Sequence, residues 1–112
     1  MASFLKCISK EVEAGLMSST CLLSTNQTYK TPVDSIINFE CRVLYVGQFV
    51  RVWRLGDRVI SVGNLMVRKD GRMSVTDEGA LEIRDIRLED AREYFCELDA
   101  EEVHYKLEVF GK

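Results

Sequence analysis

In LEIRDIRLEDAREYFCEL (residues 81–98), two apolar alternations flank a charged connection. Leu81 and Ile83 alternate with Glu82 and Arg84, the period-two pattern of a strand with one dry face and one wet face. Tyr94, Cys96 and Leu98 repeat that pattern against Phe95 and Glu97. Toward the N-terminus, Ile37, Phe39, Cys41 and Val43 alternate in the same way and turn Cys41 inward. Trp53 follows Cys41 by twelve residues, in the strand-like FVRVWRL (49–55). GDRVISVGN (56–64) then reads as a Gly-Asp turn, a short strand and a second turn at Gly63-Asn64. RMSV (72–75) and the turn TDEG (76–79) lead into the opening stretch. Beyond it come a polar turn, DAEE (99–102), and VHYKLEVF (103–110), with Leu107 and Val109 on one parity.

Short strands at regular spacing, with no helical interruption, predict an all-β antiparallel sandwich. Cys41 and Cys96, both inward and 55 residues apart, can then pair across the core. Trp53 would pack on that bridge. Tyr94, two residues before Cys96, fits a tyrosine corner whose hydroxyl bonds the upstream backbone. The combination predicts an immunoglobulin-like β-sandwich of V/I-set type, with Trp53, Tyr94, Leu81 and Ile83 in its core and Cys41–Cys96 as its disulfide. A chain of 112 residues holds one such domain, expected over residues 26–112.

Residues 1–25 read as a leader, either loosely attached or a short helix with Leu5, Ile8, Val12 and Leu16 at roughly helical spacing. Lys6, Lys10, Glu11 and Glu13 interrupt its apolar positions, so no secretory signal is visible. Cys7 and Cys21, fourteen residues apart, match no zinc-ligand pattern and are read as free thiols or an accessory disulfide.

A net charge of −3, with Lys and Arg mixed among Asp and Glu, offers no basic stripe for phosphates, so nucleic acid is not an expected partner. The longest apolar runs, such as VLYV (43–46), are strand length and do not predict a membrane span. Nor does the chain carry catalytic equipment. His104 is its only histidine, and no nucleophile–base motif, GxGxxG, phosphate loop or HExxH is present. Glu89, Asp90, Glu93, Asp99, Glu101 and Glu102 fall at turns or outward positions, where solvation explains them. No cofactor, metal site or enzymatic activity is expected.

CRVLYVGQFVRVWRLGDRVISVGNLMVRKDGRMSV (41–75), followed by LEIRDIRLEDAREYFCEL, resembles the first immunoglobulin domain of arthropod adhesion proteins of the lachesin, amalgam and neurotrimin type. NQTYKTPVDSIINFEC (26–41) resembles the strands leading into that domain. The resemblance implies an ion pair between the Arg opening strand D and the Asp of a DxGxYxC motif, here Arg72 and Asp90. Two positions depart from the pattern: the Gly of the motif is Arg92, and the inward apolar position two before the Trp is Arg51.

With Trp53 and Cys96 facing the core, Val50, Val52 and Arg54 face outward on strand C, and Phe95 and Glu97 on strand F. Ile60 and Val62, or alternatively Val59, extend this face, and His104 and Lys106 border it. Grouped apolar residues with a charged rim mark an interaction site. The resemblance implies dimerisation through that GFCC′ sheet, with the same protein or a related immunoglobulin-superfamily partner. Two functions are therefore expected in competition: extracellular recognition in cell adhesion, homophilic or heterophilic, and an intracellular structural domain of a muscle-type scaffold. An oxidised Cys41–Cys96 pair favours the first. Asn26-Gln27-Thr28 is an N-glycosylation acceptor triplet and adds to the extracellular reading.

Overall fold

The computed structural model describes residues 22–43, 50–99 and 101–111. Cys7, Cys21 and the expected helix of the leader lie outside them. The described residues form nine strands: β1 (Gln27–Pro32), β2 (Ile37–Phe39), β3 (Val52–Leu55), β4 (Arg58–Val62), β5 (Leu65–Met66), β6 (Met73–Val75), β7 (Leu81–Ile83), β8 (Glu93–Leu98) and β9 (Glu101–Phe110). One sheet runs β1-β9-β8-β3-β4-β5 and the other β2-β7-β6. In immunoglobulin lettering these are A′GFCC′C″ and BED, so the fold is the expected immunoglobulin-like sandwich. β1 pairs with β9 in parallel, and the other ladders are antiparallel.

The alternation produces the core. Phe39, Trp53, Leu81, Ile83, Tyr94 and Cys96 are completely buried. Cys96 is bonded to Cys41 across the two sheets. Phe39 sits at the centre of an aromatic cluster, with ring centroids 5.2 Å from both Tyr94 and Tyr105 and 6.5 Å from Trp53. Buried polar tips find partners, as burial requires. Trp53 Nε1 donates to the Gly79 carbonyl at 2.9 Å, and the Tyr105 hydroxyl donates to the Glu40 carbonyl. Packing also reaches back before residue 26. Leu22 is buried in the core cluster, bridges to Val43 and donates its N–H to Glu101 Oε1 at 3.1 Å.

The tyrosine corner forms where the sequence places it. Tyr94 Oη donates to the Asp90 carbonyl at 2.8 Å, across a 3-10 turn at Leu88–Asp90. Asp90 accepts from Arg72 Nη1 at 2.8 Å and Nη2 at 3.0 Å, and from the Arg87 N–H at 2.7 Å. Burial raises the pKa of the Asp90 carboxyl, but these donors and the attraction of both guanidinium groups outweigh it and hold it below its ordinary value.

Arg51, at an ordinarily apolar inward position, is accommodated by a glycine. A Cβ on Gly79 would lie 1.2 Å from Arg51 Nη1, so the guanidinium occupies the space a side chain would need. Arg51 Nη1 donates to the Glu78 carbonyl at 3.2 Å. Gly79 also adopts φ +89°, a conformation that L side chains rarely take. Gly79→Ala is therefore expected to destabilise the domain by about 1–3 kcal/mol. Urea unfolding measures the loss, and adding Arg51→Ala should recover only part of it, because the backbone strain remains.

Candidate protein-binding face

The outer face of the six-stranded sheet collects the alternate residues of the strands whose inner face carries Trp53 and Cys96. Cross-strand register sets them in two rows. One row reads Glu102, Glu97, Val52, Val62, Leu65 across β9, β8, β3, β4 and β5. The other reads His104, Phe95, Arg54, Val59 across β9, β8, β3 and β4. The first row is apolar at its β4–β5 end, where Val62 is 39% and Leu65 70% exposed, and acidic at its β8–β9 end. Val50, 53% exposed, precedes β3 and stands outward as expected.

Ile60 does not belong to this face. It is completely buried, as is the next residue, Ser61. A β-bulge lies between Trp53 and Arg54, so that Trp53 opposes Ser61 while Arg54 opposes Val59. The extra residue on β4 is Ile60, and the bulge reverses the parity of the strand around it, turning Ile60 inward and Val59 outward. Val59 takes the surface position expected of Ile60.

Arg54 is the hub of the second row. Its guanidinium lies 4.8 Å from the centroid of the Phe95 ring, a cation–π geometry. Its Nη2 donates to Glu102 Oε1 at 2.8 Å, its Nε to Glu97 Oε1 at 3.2 Å and its Nη1 to the Gly56 carbonyl at 2.6 Å. Phe95 in turn meets His104 edge to face, with centroids 4.5 Å apart. Three planar groups on three strands are thus held against one another. Glu102, expected to be only a solvated surface acid, orients this arginine. Glu97 and Glu102 keep side-chain exposures of 41% and 43%, so together with Arg54 the hub carries one excess negative charge.

His104 and Lys106 stand at the exposed border. Asn26 lies beside them, its Oδ1 accepting the His104 backbone N–H at 2.9 Å. Leu65 and Glu102 were not singled out from the sequence as members of this face. Leu65 follows the Gly63-Asn64 turn directly, and that turn is the signal that folds β5 back on β4. For Glu102 the only signal is cross-strand register, which depends on how β8 and β9 pair.

Among the described residues, no group of three His, Cys, Asp or Glu side chains could hold a metal ion. No helix among them is long and apolar enough to cross a membrane.

No protein-family model and no curated protein matches the chain. Solved structures do resemble it. A chain of the complex of Dpr1 IG1 bound to DIP-eta IG1 shares 19% identity with a TM-score of 0.74, over 84% of this chain and 98% of that one. The ZIG-8 IG1 homodimer shares 20% identity with a TM-score of 0.68, over 94% and 98%. I81 from titin shares 15% identity with a TM-score of 0.67, over 84% and 99%. The chain spans 51% and 34% of longer solved chains that it also resembles. At these identities the likeness establishes the immunoglobulin fold.

Proposed function

We propose that the domain acts in extracellular protein–protein recognition of the cell-adhesion type, binding a second copy of itself or another immunoglobulin-superfamily protein through the GFCC′ face. The observation that carries this reading is the apolar row Val52, Val62 and Leu65 beside an Arg54 already clamped by Phe95, Glu97 and Glu102. An apolar patch with satisfied polar groups beside it is the anatomy of a protein interface. Two of the similar structures are complexes between immunoglobulin domains, one heterophilic and one homodimeric, which supports the same reading. The resemblance to lachesin-, amalgam- and neurotrimin-type domains supports the adhesion reading.

The Cys41–Cys96 bridge supports an oxidising, extracellular setting. The intracellular scaffold reading has the titin domain among the similar structures, but it leaves the bridge without a role. The role assigned is binding, with no catalytic step. Asn26 is the proposed glycan acceptor. Its position beside His104 would put a glycan at the β9 border of the face.

Sedimentation equilibrium of the whole 112-residue chain, made through a secretory route, tests the proposal. The whole chain is needed because Leu22 is part of the core. A reversible dimer is the homophilic outcome, and Val52→Asp or Phe95→Asp is expected to weaken it by about 30-fold or more, the effect of losing one central interface residue. A folded variant with an unchanged dimer constant would sink this face. A strict monomer would leave only a heterophilic partner. Mass spectrometry of the same preparation reads the bridge and the glycan: a reduced pair or a bare Asn26 removes that part of the reading.

A further inference from the structure

On a different part of the surface, beside the tyrosine corner, a cleft gathers four guanidinium groups, those of Arg68, Arg72, Arg87 and Arg92. Three carboxylates share its lining, Asp70, Glu89 and Asp90. Such a concentration of arginine is unexpected on a chain of net charge −3.

The pairing inside the cleft is incomplete. Arg72 is committed to Asp90 by two hydrogen bonds, of 2.8 and 3.0 Å. Asp70 lies 3.7 Å from Arg72 Nε and 3.9 Å from Arg68 Nε, beyond hydrogen-bond length to either. Glu89 stands 3.7 Å from Arg87, and both side chains are mostly in solvent, a contact of little energetic weight. Arg68 Nε is buried without a hydrogen-bond acceptor. Arg92 makes no ion pair among the described residues. Two arginines thus bring unused donors to one concave site, and one of them occupies the position where the related motif has glycine.

Guanidinium groups recognise tetrahedral oxyanions through paired N–H donors. We propose that this cleft binds a sulfate- or phosphate-class oxyanion, with Arg68 and Arg92 as the main donors and Arg87 at the rim. The group can arrive as a free ion or on a sulfated polysaccharide, and the site needs only the oxyanion. The inference stands apart from the adhesion face and does not depend on it.

Isothermal titration of the whole chain with inorganic sulfate, and separately with a heparin-derived oligosaccharide, tests it. Saturable binding of the oligosaccharide that weakens with added salt is expected, and the Arg68→Gln/Arg92→Gly double variant should lose about tenfold or more of it. That variant leaves the Arg72–Asp90 pair intact, and its thermal unfolding midpoint is the control for folding. Val52→Asp should leave anion binding unchanged, which separates this site from the sheet face. Binding of inorganic sulfate alone, lost in the double variant, supports a site for the free ion. Binding of neither ligand, or equal binding by the folded double variant, overturns the proposal.

Discussion

Alanine in place of Asp90 is expected to remove about 3–5 kcal/mol of folding stability, the effect of leaving one partner of a buried ion pair uncompensated. Asp90 has a side-chain exposure of 6% and its partner Arg72 of 14%. The substitution removes both Arg72–Asp90 hydrogen bonds and the acceptor of the Arg87 N–H at once, leaving Arg72 Nη1 with only the Arg84 and Asp85 carbonyls. It leaves the Tyr94 hydrogen bond in place, because that bond ends on the Asp90 backbone carbonyl. Tyr94→Phe should therefore cost less, about 1 kcal/mol, the net worth of one neutral hydrogen bond. Urea unfolding of both variants measures the difference, and equal losses would mean that the ion pair contributes little.

The same carboxylate predicts a pH dependence. Its folded pKa is depressed, with Arg72 and Arg87 outweighing burial. The unfolded chain therefore binds the proton more readily. The stabilisation is fully present above the ordinary carboxylate range of roughly 4 and is lost as the pH falls through the lower folded value. Asp90→Asn should flatten this acid limb of the stability profile, and an unchanged limb would assign it to other carboxylates.

Removing the bridge with Cys41→Ala and Cys96→Ala together should cost about 4 kcal/mol, the chain-entropy value for a loop of this length. The separation is 55 residues, and the residues enclosed include Trp53 and the whole of β3, which carries Arg54. For a domain of this size the loss corresponds to a midpoint lower by roughly 15–30 °C. Total stabilities of such domains are only about 5–15 kcal/mol, so the variant would fold marginally. Calorimetry of the oxidised wild type, the reduced wild type and the double variant checks this. Reduction should reproduce most of the variant's loss, and a change below about 1 kcal/mol would show that the aromatic cluster around Phe39 suffices.

Much of the fold is legible because its signals are local. Ile37–Phe39, Leu81–Ile83 and Glu93–Leu98 each show their buried face by alternation alone, and each strand has that face in the core. The corner of Tyr94, Asp90 and Arg72 follows from spacing together with the family resemblance. The outer face of the six-stranded sheet was partly legible: Val50, Val52, Arg54, Val62, Phe95, Glu97 and His104 stand outward, on parities counted from Trp53 and Cys96. Ile60 broke that count because a bulge adds a residue, and nothing in RVISV marks where the insertion falls. Leu22 was placed in the leader, since its bridge to Val43 joins residues that no short-range pattern connects.

The sequence by itself determined most of the strands, the inward cysteines, the tryptophan between them and the all-β class. Each follows from a backbone whose side chains alternate every residue, so a few positions report the whole strand. Only the tertiary structure decided that Val59 and not Ile60 is exposed, that Leu65 joins Val52 and Val62, and that Glu102 and Phe95 clamp Arg54. It alone brought Arg68 and Arg92 to one cleft. These outcomes depend on cross-strand register and on contacts between residues distant in the chain. Such contacts are fixed by the simultaneous packing of two sheets, and no single segment encodes them.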